Sequence, residues 1–243
     1  MEVIILRLHI VRKMIFKILS IEDLKNLSPD LYQEINSFYP ISIEKNDPAY
    51  CEFKGIKSLF ALIDSNIADA SYYRTFWEGK ICQALALGTG KKVLGATYGY
   101  VHSQSALIRL DDGGDPRNEI CLYLYVSIIA EYFSIEIVNF DKLKFKRDMP
   151  GHENMFAPGV ASVTVSPIGE YSDLFLTVEK ILRREFPSYK FLPSVFDFLN
   201  LKGLSVIHND LTDNSISSAF FSKMARNSDS IIIGNTAYGD VVV

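Results

Sequence analysis

The run CLYLYVSIIAEYFSIEIVNF, residues 121–140, decides the fold class of this chain. Its two halves, CLYLYVSIIA and YFSIEIVNF, are rich in β-branched and aromatic residues, which strands favour. In the second half Ile135 and Ile137 alternate with Ser134 and Glu136, the two-residue period of a strand with one buried face. The run therefore predicts strands of a central sheet.

Helical patterns occur on both sides of this run in the sequence. Ser20 and Asp23 predict a capping box at a helix start, and Trp77 and Ile81 belong to an apolar stripe at helical spacing. The patterns predict helices at 21–27, 29–38, 56–63, 71–87, 172–186 and 214–225, and strands at 14–19, 160–165, 204–208 and 230–233. Because helices and strands interleave irregularly, we expect an α+β fold with one mainly antiparallel or mixed central sheet flanked by helices.

The domain organisation is predicted to be simple. No low-complexity linker divides residues 1–243, which predicts a single α+β domain. A charged loop and a Gly/Pro-containing stretch predict a soft subdomain boundary near 141–158. Residues 1–13 are interpreted as a non-native or accessory leader, since the sequence from Met14 already predicts a complete strand that opens into a helix.

The composition of the chain argues against some classes of binding partner. The chain has 25 basic and 29 acidic residues, a net charge of −4, whereas nucleic-acid binding needs a basic surface. The longest strongly apolar run, 120–130, is about half of the roughly 20 residues that span a membrane. We therefore expect no nucleic acid, no membrane and a cytoplasmic protein. The spacing of Cys51, Cys82 and Cys121 gives neither a CxxC pair nor a disulfide framework, which predicts buried free thiols.

The motifs predict no catalytic residues, no metal ligands and no cofactor. The glycines of LGTGKK, residues 87–92, lack phosphate-loop spacing, and no serine has nucleophile-elbow context. The four histidines show neither HxH nor HExxH spacing. His208 follows a predicted strand, where a catalytic base can lie, although Asn209 and Asp210 after it also suit a turn or a cap.

One segment concentrates negative charge. Up to residue 100 the chain has 12 basic and 11 acidic residues, and after it 13 and 18. The densest acidic piece is DDGGDPRNE, residues 111–119, which contains Asp111, Asp112, Asp115 and Glu119. Its spacing is not that of a calcium loop. A solvated turn and a protein-binding patch are both open interpretations, and the second makes these four acids candidate toxin-binding residues.

A family resemblance comes from the order of three segments. The run at 121–140 is followed by LTVEKILRREFPSYKFLP at 176–193 and VFDFLNLKGLSVIHNDLTDN at 195–214. In this order the chain resembles bacterial immunity proteins encoded beside polymorphic, type VI secretion or contact-dependent toxins. The resemblance implies a non-enzymatic inhibitor that binds one cognate toxin and occludes its active site. The alternatives are a small hydrolase or transferase with a dispersed site near His208, and a structural or adaptor protein.

Overall fold

A mixed sheet runs through the middle of the protein. The structure, a computed structural model, describes residues 10–13, 17–97, 101–110, 118–145, 155–207, 214–223 and 231–234. The described strands are β1 (Ile10–Lys13), β2 (Lys17–Leu19), β3 (Val93–Gly95), β4 (Ser103–Arg109), β5 (Asn118–Ser127), β6 (Tyr132–Phe145), β7 (Met155–Thr164), β8 (Lys190–Phe191), β9 (Leu199–Leu201) and β10 (Ile231–Gly234). The sheet has the order β1-β10-β7-β6-β5-β4-β3, with β8 beside β6, and β2 pairs separately with β9. Its pairs from β3 to β7 are antiparallel, whereas β10 is parallel to β7.

The central run forms the hairpin that the sequence predicts. Strands β5 and β6 pair in a register that sets Leu124 opposite Ile135 and Tyr125 opposite Ser134. Ser127 closes the connection, since its hydroxyl oxygen accepts hydrogen bonds from two backbone N–H groups of the turn at 3.3 Å. Because side chains alternate along each strand, the hairpin gives the sheet an apolar face and a mixed face.

Helices flank the sheet, and the α+β fold class is confirmed. They are α1 (Ile21–Leu27), α2 (Pro29–Phe38), α3 (Pro48–Glu52), α4 (Lys54–Ala68), α5 (Ala70–Tyr72), a π-helix (Tyr73–Cys82), α6 (Gln83–Thr89) and α7 (Ser172–Glu185). The predicted capping box is present, with Ser20 Oγ accepting from the Asp23 N–H at 3.1 Å and Asp23 Oδ2 accepting from the Ser20 N–H at 2.9 Å. It satisfies backbone donors that a helix start leaves without partners.

Two large apolar clusters lie between the sheet and the helices, and a third, smaller one lies on the sheet around Val138 and Val163. One large cluster fills the space between the sheet and the π-helix, α6 and α7, and contains Trp77, Leu124 and Phe175. The other large cluster joins α1, α2 and α4 to the segment 214–221, with the fully buried side chains of Ile35 and Phe220. The two groups of helices therefore form separate layers.

Several local predictions are wrong. Residues 214–223 do not form the predicted helix but a bridge at Ser215 and a 3₁₀ turn at Ser217–Ala219. The Ser218 hydroxyl donates to the Ser215 carbonyl at 2.6 Å, so serine side chains replace helical backbone partners here. The strand expected at 204–208 is absent over 204–207, because the ladder ends at β9 and Gly203 turns the chain with φ +82.

The predicted loop and the thiols also need correction. Residues 141–145 and 155–158 belong to the paired strands β6 and β7, since the antiparallel ladder continues past the charged residues. Cys82 and Cys121 are buried as predicted, but Cys51 is exposed on the five-residue helix α3. The single-domain organisation stays a prediction.

Candidate functional site

The structure describes one of the four acidic residues that the sequence predicts as a binding patch. Glu119 lies on β5, and its Oε1 accepts a hydrogen bond from Arg109 Nη2 at 2.6 Å and from the Cys121 thiol at 3.6 Å. The Arg109 guanidinium offsets the charge of Glu119 in this exposed pair. Asp111, Asp112 and Asp115 lie outside the described residues, as does His208.

A solvent-open cleft is the candidate site that the structure offers. It encloses about 530 Å³, within the usual range of ligand-binding pockets. It lies where α4, the π-helix and the ends of β3 and β4 meet. Polar and charged lining residues are Asn66, Tyr73, Arg74, Glu78, Thr97, Ser103 and Gln104, and apolar ones are Ile63, Val101 and Ile128.

The π-helix sets the positions of three of these residues. Its backbone makes i→i+5 hydrogen bonds, so residues four and five apart share a face, which places Tyr73, Arg74 and Glu78 together. Gly79 permits this wide turn, because a Cβ there would lie 2.9 Å from the Arg74 carbonyl oxygen. π-Helical turns are rare and frequently occur at functional sites.

The π-helix is fixed to the sheet by its buried side. Trp77 is fully buried, and its Nε1 donates to the Ser105 carbonyl oxygen on β4 at 3.0 Å. Thr97, at the end of β3, accepts from the Ser105 N–H at 2.8 Å. Two hydrogen bonds, one from Trp77 and one to Thr97, therefore fix the cleft wall to β4.

Gly95 allows Tyr73 and Glu78 to pack closely against β3. A Cβ at this glycine would lie 2.6 Å from the Tyr73 hydroxyl oxygen and 3.2 Å from Glu78 Oε1. Burial raises the pKa of Tyr73 above its ordinary value, while a side-chain hydrogen bond with Thr97 partly lowers it. Tyr73 therefore presents a neutral phenol near neutral pH, able to donate and accept hydrogen bonds.

The cleft presents two charges of opposite sign. Arg74 and Glu78 are both exposed, four residues apart, and neither takes part in an ion pair within the described part of the chain. Their charges are free to meet a ligand from solution. Chemically, the cleft can bind a group that carries both an acidic and a basic function.

A second polar cluster lies on the mixed face of the sheet. Lys223 Nζ donates to both oxygens of Asp197 at 3.0 and 3.2 Å and to Ser134 Oγ at 2.9 Å, and it lies 3.6 Å from Glu136 Oε2. Ser217 donates a short hydrogen bond to Asp197 Oδ1. The ammonium also lies over the rings of Tyr125 and Phe221.

This cluster is structural. A serine–lysine pair can act on a substrate only if the hydroxyl is reachable and the amine is available to it. Ser134 is only 2% exposed, and the Lys223 amine is engaged by Asp197. The cluster instead links β6, the 3₁₀ turn at Ser194–Asp197 and the segment 221–223.

Neither site was predicted from the sequence. Trp77 and Ile81 were expected as core residues and are fully buried. Tyr73 was expected on the same apolar face, but it is only half-buried and lines the cleft, and the neighbouring Arg74 and Glu78 gave no motif. A glycine at position 79 inside a helical pattern was the available signal, since such a residue has a packing or functional reason. Lys223 contacts residues 26 and 89 positions away, a separation that spacing rules do not detect.

The described residues also limit the chemistry that the protein can perform. Among the described residues, no group of three or more His, Cys, Asp or Glu side chains could hold a metal ion. No described helix combines the length and apolarity needed to cross a membrane. Comparisons with family models, curated proteins and solved structures find no match to this chain.

Proposed function

We propose that this protein acts by binding a partner protein, as an immunity protein that neutralises a cognate toxin in the cytoplasm. It would do so by occluding the toxin's active site, with no catalysis of its own. The resemblance of the segments within 121–214 to immunity proteins supports the toxin as partner. The observation that carries partner binding is the open cleft with Tyr73, Arg74 and Glu78 on its wall.

The composition of the cleft suits a protein interface. Tyrosine and arginine are the side chains most often found at binding hot spots, with tryptophan. Ile63, Val101 and Ile128 add apolar surface beside them, so a partner would bury apolar contacts next to charged ones. A cleft this open leaves a small ligand partly in water, which favours a segment held by a larger partner.

The acidic residues Asp111, Asp112, Asp115 and Glu119 are a second proposed contact. If the toxin has a basic active-site cleft, their charges would speed association. Replacement of Asp111, Asp112 and Asp115 by Asn tests this contact. The proposal predicts slower association, with an effect that shrinks at high salt.

The function is tested by co-expression with the protein encoded beside this gene. We expect a stable 1:1 complex on gel filtration and relief of the growth arrest caused by that protein alone. Failure to form a complex would overturn the proposal. Relief of toxicity without a complex, together with turnover of a small molecule that is lost in His208→Ala, would identify an enzyme instead.

A further inference from the structure

We propose that the cleft beside the π-helix is the partner-binding site, and that it receives a protruding segment carrying an acidic group opposite Arg74 and a basic group opposite Glu78. This deepens the proposed function and rests on it, since it names the surface and the chemistry that the partner must supply. The alternative surface for the same partner is the acidic segment 111–119.

The charges of the cleft define the partner's chemistry. Arg74 and Glu78 have no ion-pair partner in the described part of the chain, so both are hydrated in the free protein. A partner that covers them removes this hydration, and an uncompensated charge in an interface is costly. Binding is therefore favourable only if the partner brings a carboxylate to Arg74 and a cation to Glu78.

The walls of the cleft favour a preformed site. Trp77 holds the π-helix against β4, and Thr97 holds the end of β3 against the same strand. The lack of a side chain at Gly95 lets Tyr73 and Glu78 pack directly against β3. A site with fixed walls loses little conformational entropy on binding, which increases affinity.

Shape favours a protruding segment over a flat surface. The described lining comes from α4, the π-helix, β4 and the residues around Thr97 and Ile128, so the cleft is bounded on several sides. Its volume of about 530 Å³ is large enough for a loop tip but small for a whole helix face. The hydroxyl of Tyr73 and the side chain of Gln104 offer hydrogen bonds to the polar backbone of such a loop.

The test is isothermal titration with the purified protein encoded beside this gene. Variants Arg74→Glu and Glu78→Arg each place a like charge against the partner, and we expect each to weaken binding by about tenfold or more. The double variant Arg74→Glu/Glu78→Arg keeps the net charge of the chain but exchanges the two positions. We expect it also to lose about tenfold or more, because its charges oppose both partner groups.

A matched control comes from an exposed ion pair elsewhere. The exchange Glu52→Lys/Lys57→Glu also keeps the net charge, and both side chains are more than half exposed. Lys57 is about 9 Å along α4 from Ile63, the nearer of the two lining residues on that helix, at the usual rise per residue. We expect wild-type affinity from this control, and an unchanged urea midpoint in every variant because all four positions are exposed.

The outcomes distinguish failure of the proposed binding site from failure of the proposed function. If the wild-type protein binds and the three cleft variants bind equally well, the cleft is not the site, although the proposed function stands. If the two single variants change the affinity in opposite directions and the double variant binds like the wild-type protein, net charge is responsible and local complementarity is wrong. If the wild-type protein does not bind, the proposed function itself fails.

Discussion

The two faces of the central hairpin are buried against different kinds of side chains. On one face Leu124 and Ile135 lie opposite each other and pack with Trp77 and Phe175 in an apolar cluster. On the other face Ser134 and Glu136 lie beside Tyr125 and contact Lys223 instead of apolar side chains alone. One face is thus held by apolar packing alone, whereas the other combines a smaller apolar cluster around Val138 with specific polar partners.

The two faces differ in how specific their contacts must be. Apolar packing tolerates volume-conserving changes, but a buried polar group without its partner loses the free energy of its missing hydrogen bonds. Asp197, Ser134 and Glu136 all contact one ammonium, that of Lys223. The mixed face therefore joins three distant parts of the chain in one arrangement, and a single substitution should affect it most.

The largest effect is expected from Lys223→Met. It leaves the Asp197 and Glu136 carboxylates, 6% and 2% exposed, without their cation, which should lower the unfolding free energy by ~3–5 kcal/mol in urea titrations. Lys80→Met is the control, since Lys80 forms an ion pair with Glu185 but is 56% exposed, and it should cost less than ~1 kcal/mol. Equal losses in the two variants would contradict the importance of the buried cluster.

A smaller effect is expected from Leu124→Ala on the apolar face. Leu124 is fully buried, and the cavity left by its truncation should lower the unfolding free energy by ~2–4 kcal/mol. Leu94→Ala on β3 removes the same atoms from a side chain that is 44% exposed, so its urea midpoint should move little. A loss at Leu94 as large as that at Leu124 would show that the apolar face is not the packed one.

The smallest effect is expected in how the stability of the Glu34→Gln variant depends on pH. Desolvation raises the pKa of Glu34 on α2 above its ordinary value, while a hydrogen bond with Tyr132 partly lowers it. The folded state then binds more protons than the unfolded state above pH ~4.5, so this group makes the wild-type protein less stable as pH rises through that window.

The Gln variant has no such titration, and its stability relative to wild type should therefore increase from pH 4 to pH 7. The side chain is partly exposed, which keeps the change below ~1 kcal/mol. Urea titrations at both pH values measure it. A relative stability that falls over this range would show that the pKa of Glu34 is not raised.

The apolar face was predictable and the mixed face was not. Alternation around Ile135 and the stripe containing Trp77 are local signals, and both led to the correct elements. Ser134 and Glu136 were predicted only as the polar side of a strand, because the residue that buries them lies far along the chain. The helix expected at 214–225 failed for the same reason, since Ser217 bonds to Asp197 and Ser215 forms a bridge with Asn200, and these tertiary contacts override the local pattern.

The cleft could not be predicted from the sequence for a different reason. Arg74 and Glu78 fit a solvated helix face as well as a binding site, and the sequence indicated an ordinary α-helix there. What distinguishes them is the π-helical turn and the absence of a side chain at Gly95, both of which are properties of backbone geometry. The acidic segment at 111–119 gave the stronger sequence signal, and its role in binding stays a prediction.

Hydrogen–deuterium exchange of the free protein and of its complex with the protein encoded beside the gene tests the central claim most directly. We expect slower exchange in the complex over the π-helix Tyr73–Cys82, which forms one wall of the cleft, and at Thr97, which also lines it. Exchange at Glu52 and Lys57 should not change. Slower exchange confined to the acidic segment 111–119, with none along the π-helix, would contradict the account.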